Sequence, residues 1–298
     1  MRIREDIVEA IKKGLPVVAL ESTIISHGMP YPDNVNCAYS VEDAIIEEGV
    51  IPATIGIIDG EIVVGMTREE IEEFGKREGI AKCSRRDLPI ILARKEWGAT
   101  TVSATMIIAR MAKIEFFVTG GIGGVHRDGN NTFDISADLD ELGKTNVSVI
   151  CAGPKAILDL NLTTEYLETK GVPILVYQAD FLPAFYSKES DIKAEYRVDS
   201  PLEIAKIIKE KRSLALDGGV LICNPVSEEY SLSNDLINKV ILSAMEEMKT
   251  LGIKGKETTP FLLSKIGELT KGQSLKTNVE LILSNAHLGA KIAKEYHK

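Results

Sequence analysis

The 298-residue chain lacks several features that would assign it a class at once. Its four cysteines, Cys37, Cys83, Cys151 and Cys223, lie far apart and make no CxxC pair. That spacing argues against a thiolate zinc site and against a secreted disulfide framework. The four histidines, His27, His126, His287 and His297, form no ligand pair at helical spacing. No apolar run approaches the ~18 residues of a membrane span. There is no internal repeat, low-complexity tract or Pro/Ser-rich linker. Positive charge is not in excess: 35 basic against 44 acidic residues give −9, with the signs interspersed. A broad nucleic-acid or membrane-surface footprint is therefore not expected, although a small anion site is compatible with that balance. The N-terminus, MRIREDIVEAIKKGLP, reads as an amphipathic helix with Ile3, Ile7 and Ile11 on one face. Its Glu5, Asp6 and Glu9 argue against a transit peptide, no apolar h-region follows, and a cytoplasmic protein is expected. A strand–GxGxxG–helix unit is also missing, which disfavours a nicotinamide enzyme.

What is present is the ordinary composition of a globular enzyme, 44% hydrophobic and 27% charged. Short apolar strands are predicted at 16–21, 53–59, 61–66, 116–120, 147–152, 173–178 and 219–224. Asp59-Gly60, between the second and third, is a strong hairpin signal. Helical periodicity predicts helices near 34–48, 68–78, 88–96, 101–112, 155–169, 201–213, 233–250, 258–270 and 275–296. This alternation predicts an α/β fold with a mixed, mostly parallel sheet and helices on both faces. A single domain over 1–298 with a helical C-terminal layer is the simplest organisation.

Four segments carry residues that a plain scaffold does not require. Glu21 follows an apolar strand directly, so its carboxylate stands at a strand end, partly desolvated. It is either a general acid with a raised pKa or a helix cap. Lys82, Arg85 and Arg86 crowd a loop that suits a phosphate or carboxylate, or is ordinary surface charge. Four glycines in VTGGIGG bring bare backbone N–H groups up to a neighbour, as anion cradles do. Beyond them, Asp138 is a candidate helix cap, while Asp134 lies between Phe133 and Ile135, an apolar setting that calls for a partner such as a divalent cation. Last, Pro154-Lys155 reads as a helix start directly after a strand. A cation in a first turn is disfavoured by roughly 0.3–1 kcal/mol. Lys155 is either a solvated surface residue or a lysine needed as a neutral amine where α/β proteins gather ligands.

The motifs ALESTIISHGMPYP, TTVSATM, VTGGIGGVHR, TFDISADL, ICAGPK and SLKTNVELILSNA occur in this order along nearly the whole chain. Together they resemble the pseudouridine-5′-phosphate glycosidase family, which includes the indigoidine-synthase-A-like proteins. The resemblance implies a three-layer α/β/α fold and a homotrimer. It implies reversible cleavage of the C–C bond between uracil and ribose 5-phosphate, with a divalent metal, usually Mn²⁺. It also implies Lys155 as nucleophile, Glu21 as proton donor and Asp134 as metal ligand. Lys82, Val102 through its backbone, and Ser136, Ala137 and Asp138 would contact substrate; Thr119, His126 and Asn278 would neighbour the base. One departure stands out: the family more often reads Gly-Ala-Glu where this chain has Asp128-Gly129-Asn130-Asn131.

The chemistry explains why an amine is needed. Carbon is a poor leaving group, and the electrons of C–C cleavage must be accommodated by a C=N bond that no carboxylate can provide. Poising any lysine near ~7.5 from ~10.4 takes roughly 4 kcal/mol. A helix start can supply at most about 1 kcal/mol of that, leaving desolvation, a neighbouring cation and the metal for the rest. With one carboxylate as ligand, one Mn²⁺ per subunit would keep most of its waters. Two other readings use the same residues: a Schiff-base lyase or aldolase on another sugar phosphate, and a sugar-phosphate-binding protein without turnover.

Overall fold

The computed structural model describes residues 1–253 and 255–298, with Lys256 described by its backbone alone. Among the described residues there are thirteen strands: β1 (Arg2–Ile3), β2 (Val17–Leu20), β3 (Ile51–Ile58), β4 (Glu61–Val64), β5 (Ala81–Cys83), β6 (Gly98–Thr100), β7 (Phe116–Val118), β8 (Val125–His126), β9 (Ser148–Cys151), β10 (Leu158–Asp159), β11 (Ile174–Tyr177), β12 (Tyr196–Val198) and β13 (Leu221–Cys223). Eleven form one sheet whose main path runs β1-β4-β3-β2-β7-β9-β13-β11-β12, with β6 and then β5 added beside β3. The pairings from β3 through β2, β7, β9, β13 and β11 to β12 are all parallel, and β3 meets β4 and β6 antiparallel. The mixed, mostly parallel sheet expected from the alternation is therefore the observed one.

The α-helices among the described residues are α1 (Glu5–Lys12), α2 (Thr23–His27), α3 (Asp33–Glu47), α4 (Arg68–Lys76), α5 (Leu88–Arg94), α6 (Val102–Met111), α7 (Gly129–Thr132), α8 (Ala137–Leu142), α9 (Leu160–Thr169), α10 (Pro201–Ser213), α11 (Asn234–Leu251), α12 (Thr258–Leu269) and α13 (Gln273–Tyr296). Side-chain alternation on the central strands distributes them over both faces. Val18, Leu20, Val118, Ile150 and Ile222 point one way and pack with Ile45 of α3, Ile208 of α10 and Ile282 of α13. Val17, Ala19, Phe117, Val149 and Leu221 point the other way, toward Ile7 of α1, Met106 of α6, Leu139 of α8 and Leu167 of α9. Both faces are covered, which is why these strands read as unbroken apolar runs. The result is the three-layer α/β/α arrangement.

Local chemistry sets several boundaries. Asp59 and Gly60 both have positive φ, 49° and 75°, as a type I′ turn requires, and they close the β3–β4 hairpin. Thr67 and Glu70 form a reciprocal capping box on α4. Ser200 caps α10, with Pro201 at its first position. Gly289 lets α13 seat on β7, because a Cβ there would lie 2.3 Å from Val118 Cγ2. The N-terminal segment differs from expectation in part: Ile7 is buried on α1, but Ile3 belongs to β1, beside β4.

Two segments called irregular or helical from sequence are built otherwise. Lys82 lies in strand β5 rather than in a loop. The helix expected over 155–169 starts only at Leu160, capped by Asp159, whose side chain accepts from Leu162 N–H at 2.9 Å. The intervening Leu158–Asp159 is instead a short strand, antiparallel to Val125–His126.

Candidate active site

The register of the three central strands determines the floor of the site. Leu20 pairs with Val118, and Val118 with Ile150. The next residues, Glu21, Thr119 and Cys151, therefore emerge side by side at the carboxyl ends of β2, β7 and β9, where parallel α/β sheets place ligands. From β9 the chain turns through Gly153, at φ +84°, to Pro154 and Lys155. The turn is zipped to the glycine-rich loop: Ile122 N–H donates to Gly153 O at 3.2 Å, and Lys155 N–H to Ile122 O at 3.1 Å. Lys155 is thus held in a bonded loop five residues before the nearest helix, and the helix-start contribution reasoned from sequence does not operate there. Pro154 likewise bridges Ile122 instead of opening a helix.

These ends open into a cavity of about 470 Å³, within the range of small-ligand sites. Every residue that the resemblance implies for the site lines it: Glu21, Lys82, Val102, Thr119, His126, Asp134, Ser136, Ala137, Asp138, Lys155 and Asn278. Glu21 is 7% exposed. Burial pushes its carboxyl above the ordinary range, opposed chiefly by the Lys155 charge and then by the Thr119 hydrogen bond. Thr119 and Thr23 donate their hydroxyls to its two oxygens. It caps no helix. Thr119 is fixed in turn from above, where Asn285 of α13 donates to its carbonyl at 3.0 Å.

Asp138 does not cap the short helix it was expected to open. The N-cap of α8 is Ser136, whose Oγ accepts from Asp138 N–H at 3.2 Å. The Asp138 carboxylate accepts from Ser103 N–H at 2.9 Å, in the first turn of α6, and from Gly123 N–H at 2.8 Å. One buried side chain thereby joins two walls of the cavity. The glycines of VTGGIGG serve this close packing. A Cβ on Gly123 would meet Ser136 Oγ at 2.2 Å, and one on Gly121 would meet Phe185 Cε2 at 2.5 Å. Since Ile122 and Gly123 spend their N–H groups on Gly153 and Asp138, the loop is a packing device before it is an anion cradle.

Two further expectations change. The basic cluster is divided: Arg85 makes a forked pair with Glu141, itself 1% exposed, at 2.6 and 2.8 Å. Lys82 and Arg86 remain on the cavity. Asp134 is not in the apolar setting expected, because the neighbouring Phe133 is 82% exposed. Asp134 itself is 47% exposed at the rim, with His126 Nε2 3.9 Å away. Burial, with Lys82 nearby, pushes the His126 imidazole down, against the pull of Asp134. Thr23, His27, Ser84, Phe185 and the α12 residues Thr259, Pro260 and Leu263 also line the cavity without having been singled out. Thr23 and His27 lay within a motif already noted, ESTIISH; Phe185 and α12 are brought in only by tertiary folding.

A family model described as "Indigoidine synthase A like protein" matches residues 6–295. The chain belongs to the indigoidine synthase A-like family. Among curated members, the pseudouridine-5′-phosphate glycosidase of Petrotoga mobilis is 61% identical over 297 residues, covering 100% of this chain and 97% of that protein. The protein of the same name from Escherichia coli K12 is 52% identical over 300 residues, covering 100% and 96%. Among solved structures, the prealnumycin C-glycosynthase AlnA in complex with ribulose 5-phosphate superposes with a TM-score of 0.92 at 36% identity, covering 99% and 96% of the two chains. An indigoidine synthase A-like protein of Thermotoga maritima gives 0.91 at 36%, covering 100% and 96%.

For this indigoidine synthase A-like chain, the donor set limits what metal it can hold. Among the described residues, no three His, Cys, Asp or Glu side chains cluster as a cage. Asp134 offers one accessible carboxylate on the cavity rim. That fits a hard divalent cation retaining most of its waters, and does not fit a dehydrated structural site.

Proposed function

We propose that the chain is a pseudouridine-5′-phosphate glycosidase, reversibly cleaving the C–C glycosidic bond to give uracil and ribose 5-phosphate in pseudouridine breakdown. The observation that carries this reading is the pairing of Glu21 and Lys155 in one cavity, with burial holding the Glu21 carboxyl up and the Lys155 charge opposing it. Relatives of that name at 52–61% identity over the full chain support it.

Glu21, protonated, donates to the ring oxygen of the ribose, and the C1′–O bond breaks as uracil conjugates with C1′. The Lys155 amine adds to C1′ and gives up a proton. The C1′–C5 bond then breaks: its electron pair leaves on uracil C5, which takes up a proton, while the nitrogen lone pair forms the iminium. Water adds to the iminium, freeing ribose 5-phosphate and the amine. Thr119 and Thr23 hold Glu21 in place for the first proton transfer. The start of α6, at Val102, directs the positive end of a ten-residue helix at the cavity, next to Lys82 and Ser136, which suits the phosphate. Thr119, His126 and Asn278 line the remainder, suited to the base. An aquated Mn²⁺ held by Asp134 would supply positive charge and ordered water beside the phosphate.

The name of the structural neighbour, a C-glycosynthase, favours as second reading the same lysine chemistry on another acceptor. The proposal also carries a homotrimer: light scattering would return about three times the 32.6 kDa chain mass, and a monomer would contradict that part. The activity is tested by incubating the protein with ribose 5-phosphate, uracil and Mn²⁺. Pseudouridine 5′-phosphate, identified by chromatography and mass spectrometry, is the expected product. Its absence, with uracil unconsumed, would overturn the proposal.

A further inference from the structure

The motif VTGGIGGVHR ends on Arg127, which has no part in the chemistry above. Arg127 directly follows β8, whose His126 lines the cavity and pairs with Leu158 of β10. Its Nη2 donates to acceptors on two different elements. One is the carbonyl oxygen of Ala156, at 3.1 Å, and the other is Oδ1 of Asn238 on α11, at 2.9 Å. Ala156 is buried and stands next to Lys155. A buried carbonyl needs a partner inside the protein, and here a side chain from another segment supplies it. The second acceptor belongs to the C-terminal layer, where α11 packs against α12, whose Thr259 and Leu263 line the cavity.

These bonds complete a clamp on the segment that carries the nucleophile. Lys155 N–H donates to Ile122 O at 3.1 Å, and Lys155 O accepts from Leu158 N–H at 3.0 Å. With the Ala156 carbonyl held by Arg127, three backbone groups at Lys155 and Ala156 are fixed. The choice of side chain suits the task. A guanidinium is planar and always charged, so it spans two acceptors in a fixed geometry, whereas an ammonium is a point charge on a flexible stem. Bonds from a charged donor are also shorter and stronger than neutral ones.

Building on the proposed function, we infer that Arg127 is a positioning residue: by bridging Ala156 O and Asn238 Oδ1 it holds the Lys155 amine in line with the sugar carbon it attacks. Arg127 itself touches no reacting atom. A nucleophile misplaced by about 1 Å loses roughly 100-fold in rate. Affinity for the sugar phosphate is set elsewhere, at the α6 start and Lys82, and does not depend on the bridge.

The test compares wild type with Arg127→Met, which removes bridge and charge, and Arg127→Lys, which keeps the charge without the fork. Each is incubated with ribose 5-phosphate and cyanoborohydride. The Lys155 amine condenses with C1 of the open sugar, losing water, and hydride reduces the iminium to a stable adduct. Peptide mass spectrometry then gives the maximal trapping rate and the half-saturating sugar concentration. Arg127→Met should trap about 10- to 100-fold more slowly, with half-saturation within about twofold of wild type. Millimolar guanidinium should restore much of that rate. Arg127→Lys should remain at least about fivefold slow, because charge alone does not bridge the two acceptors. A wild-type rate in either variant would overturn the inference. Equal losses in rate and half-saturation, with no guanidinium rescue, would also overturn it by showing a merely structural role. Should Arg127→Met fail to fold, the Arg127→Lys rate decides alone. Wild-type protein that traps ribose 5-phosphate on Lys155 but makes no pseudouridine 5′-phosphate would sink the proposed function and leave the Arg127 comparison readable. Wild-type protein that forms no adduct on Lys155 would overturn both.

Discussion

At the scale of single residues, the site depends on holding groups in states that water would not favour. Glu21 is the clearest instance. Its carboxyl is raised by burial, with the Lys155 charge only partly offsetting this. A carboxyl with a raised folded-state pKa contributes stability below its unfolded pKa and loses it as pH rises through the folded value. The same rise removes the proton needed for donation. Glu21→Gln should therefore reduce kcat by roughly 100-fold or more, while raising the melting temperature by about 2 °C at pH 8, a gain that disappears near pH 4. Calorimetric melts at the two pH values check it, and a Glu21→Gln protein less stable at pH 8 would contradict the account. Much of this was legible in the sequence. An acidic residue directly after VVAL has to sit at a strand end, because the apolar run leaves no other place for it. Asp134 was legible only by position. Its neighbours Phe133 and Ile135 suggested an apolar setting, but the chain turns at Phe133, with φ 55°, and leaves that ring in solvent.

At the scale of elements, short connections do more than the long helices to assemble the cavity. Asp138 ties the start of α6 to the glycine-rich loop through two backbone N–H groups. Asp138→Asn turns one accepting oxygen into an NH₂ that faces a donor. Losing a buried, charge-assisted bond costs about 2 kcal/mol, so a destabilisation of that order is expected in urea unfolding, together with weaker substrate binding. A variant as stable as wild type would show that the clasp is unimportant. Sequence periodicity finds long elements and misses such devices. The strands with Val, Ile and Phe runs were visible, whereas Ala81-Lys82-Cys83 and Gly98–Thr100 have little strand character and are ordered by pairing with each other and with β3. The segment after Pro154 has apolar residues at helical spacing, yet Leu158–Asp159 gains a pairing with β8 that delays the helix to Leu160. That pairing joins residues more than thirty positions apart in the chain and leaves no local trace. The consequence reaches the mechanism, because the environment of Lys155 is a bonded loop beside Glu21 and not a helix terminus.

At the scale of the whole molecule, the fold supplies a rigid sheet edge and the loops carry the side chains of the cavity, with the proposed metal ligand, Asp134, at its rim. No helix among the described residues is long and apolar enough to cross a membrane. Asp134 is half exposed, with His126 as its recorded ionic neighbour at 3.9 Å. Asp134→Ala should thus leave the melting temperature within about 1 °C, while raising the Mn²⁺ concentration for half-maximal rate at least tenfold in a metal titration. An unchanged titration would place the metal elsewhere. The central claim is that this molecule breaks a C–C bond by moving its electrons into a lysine iminium. The measurement that tests it most directly is borohydride reduction during turnover of pseudouridine 5′-phosphate, followed by peptide mass mapping. The account predicts a reduced ribose 5-phosphate adduct on Lys155 alone, and neither adduct nor product from Lys155→Ala. Turnover by Lys155→Ala at a rate near wild type, or an adduct on a different lysine, would contradict it.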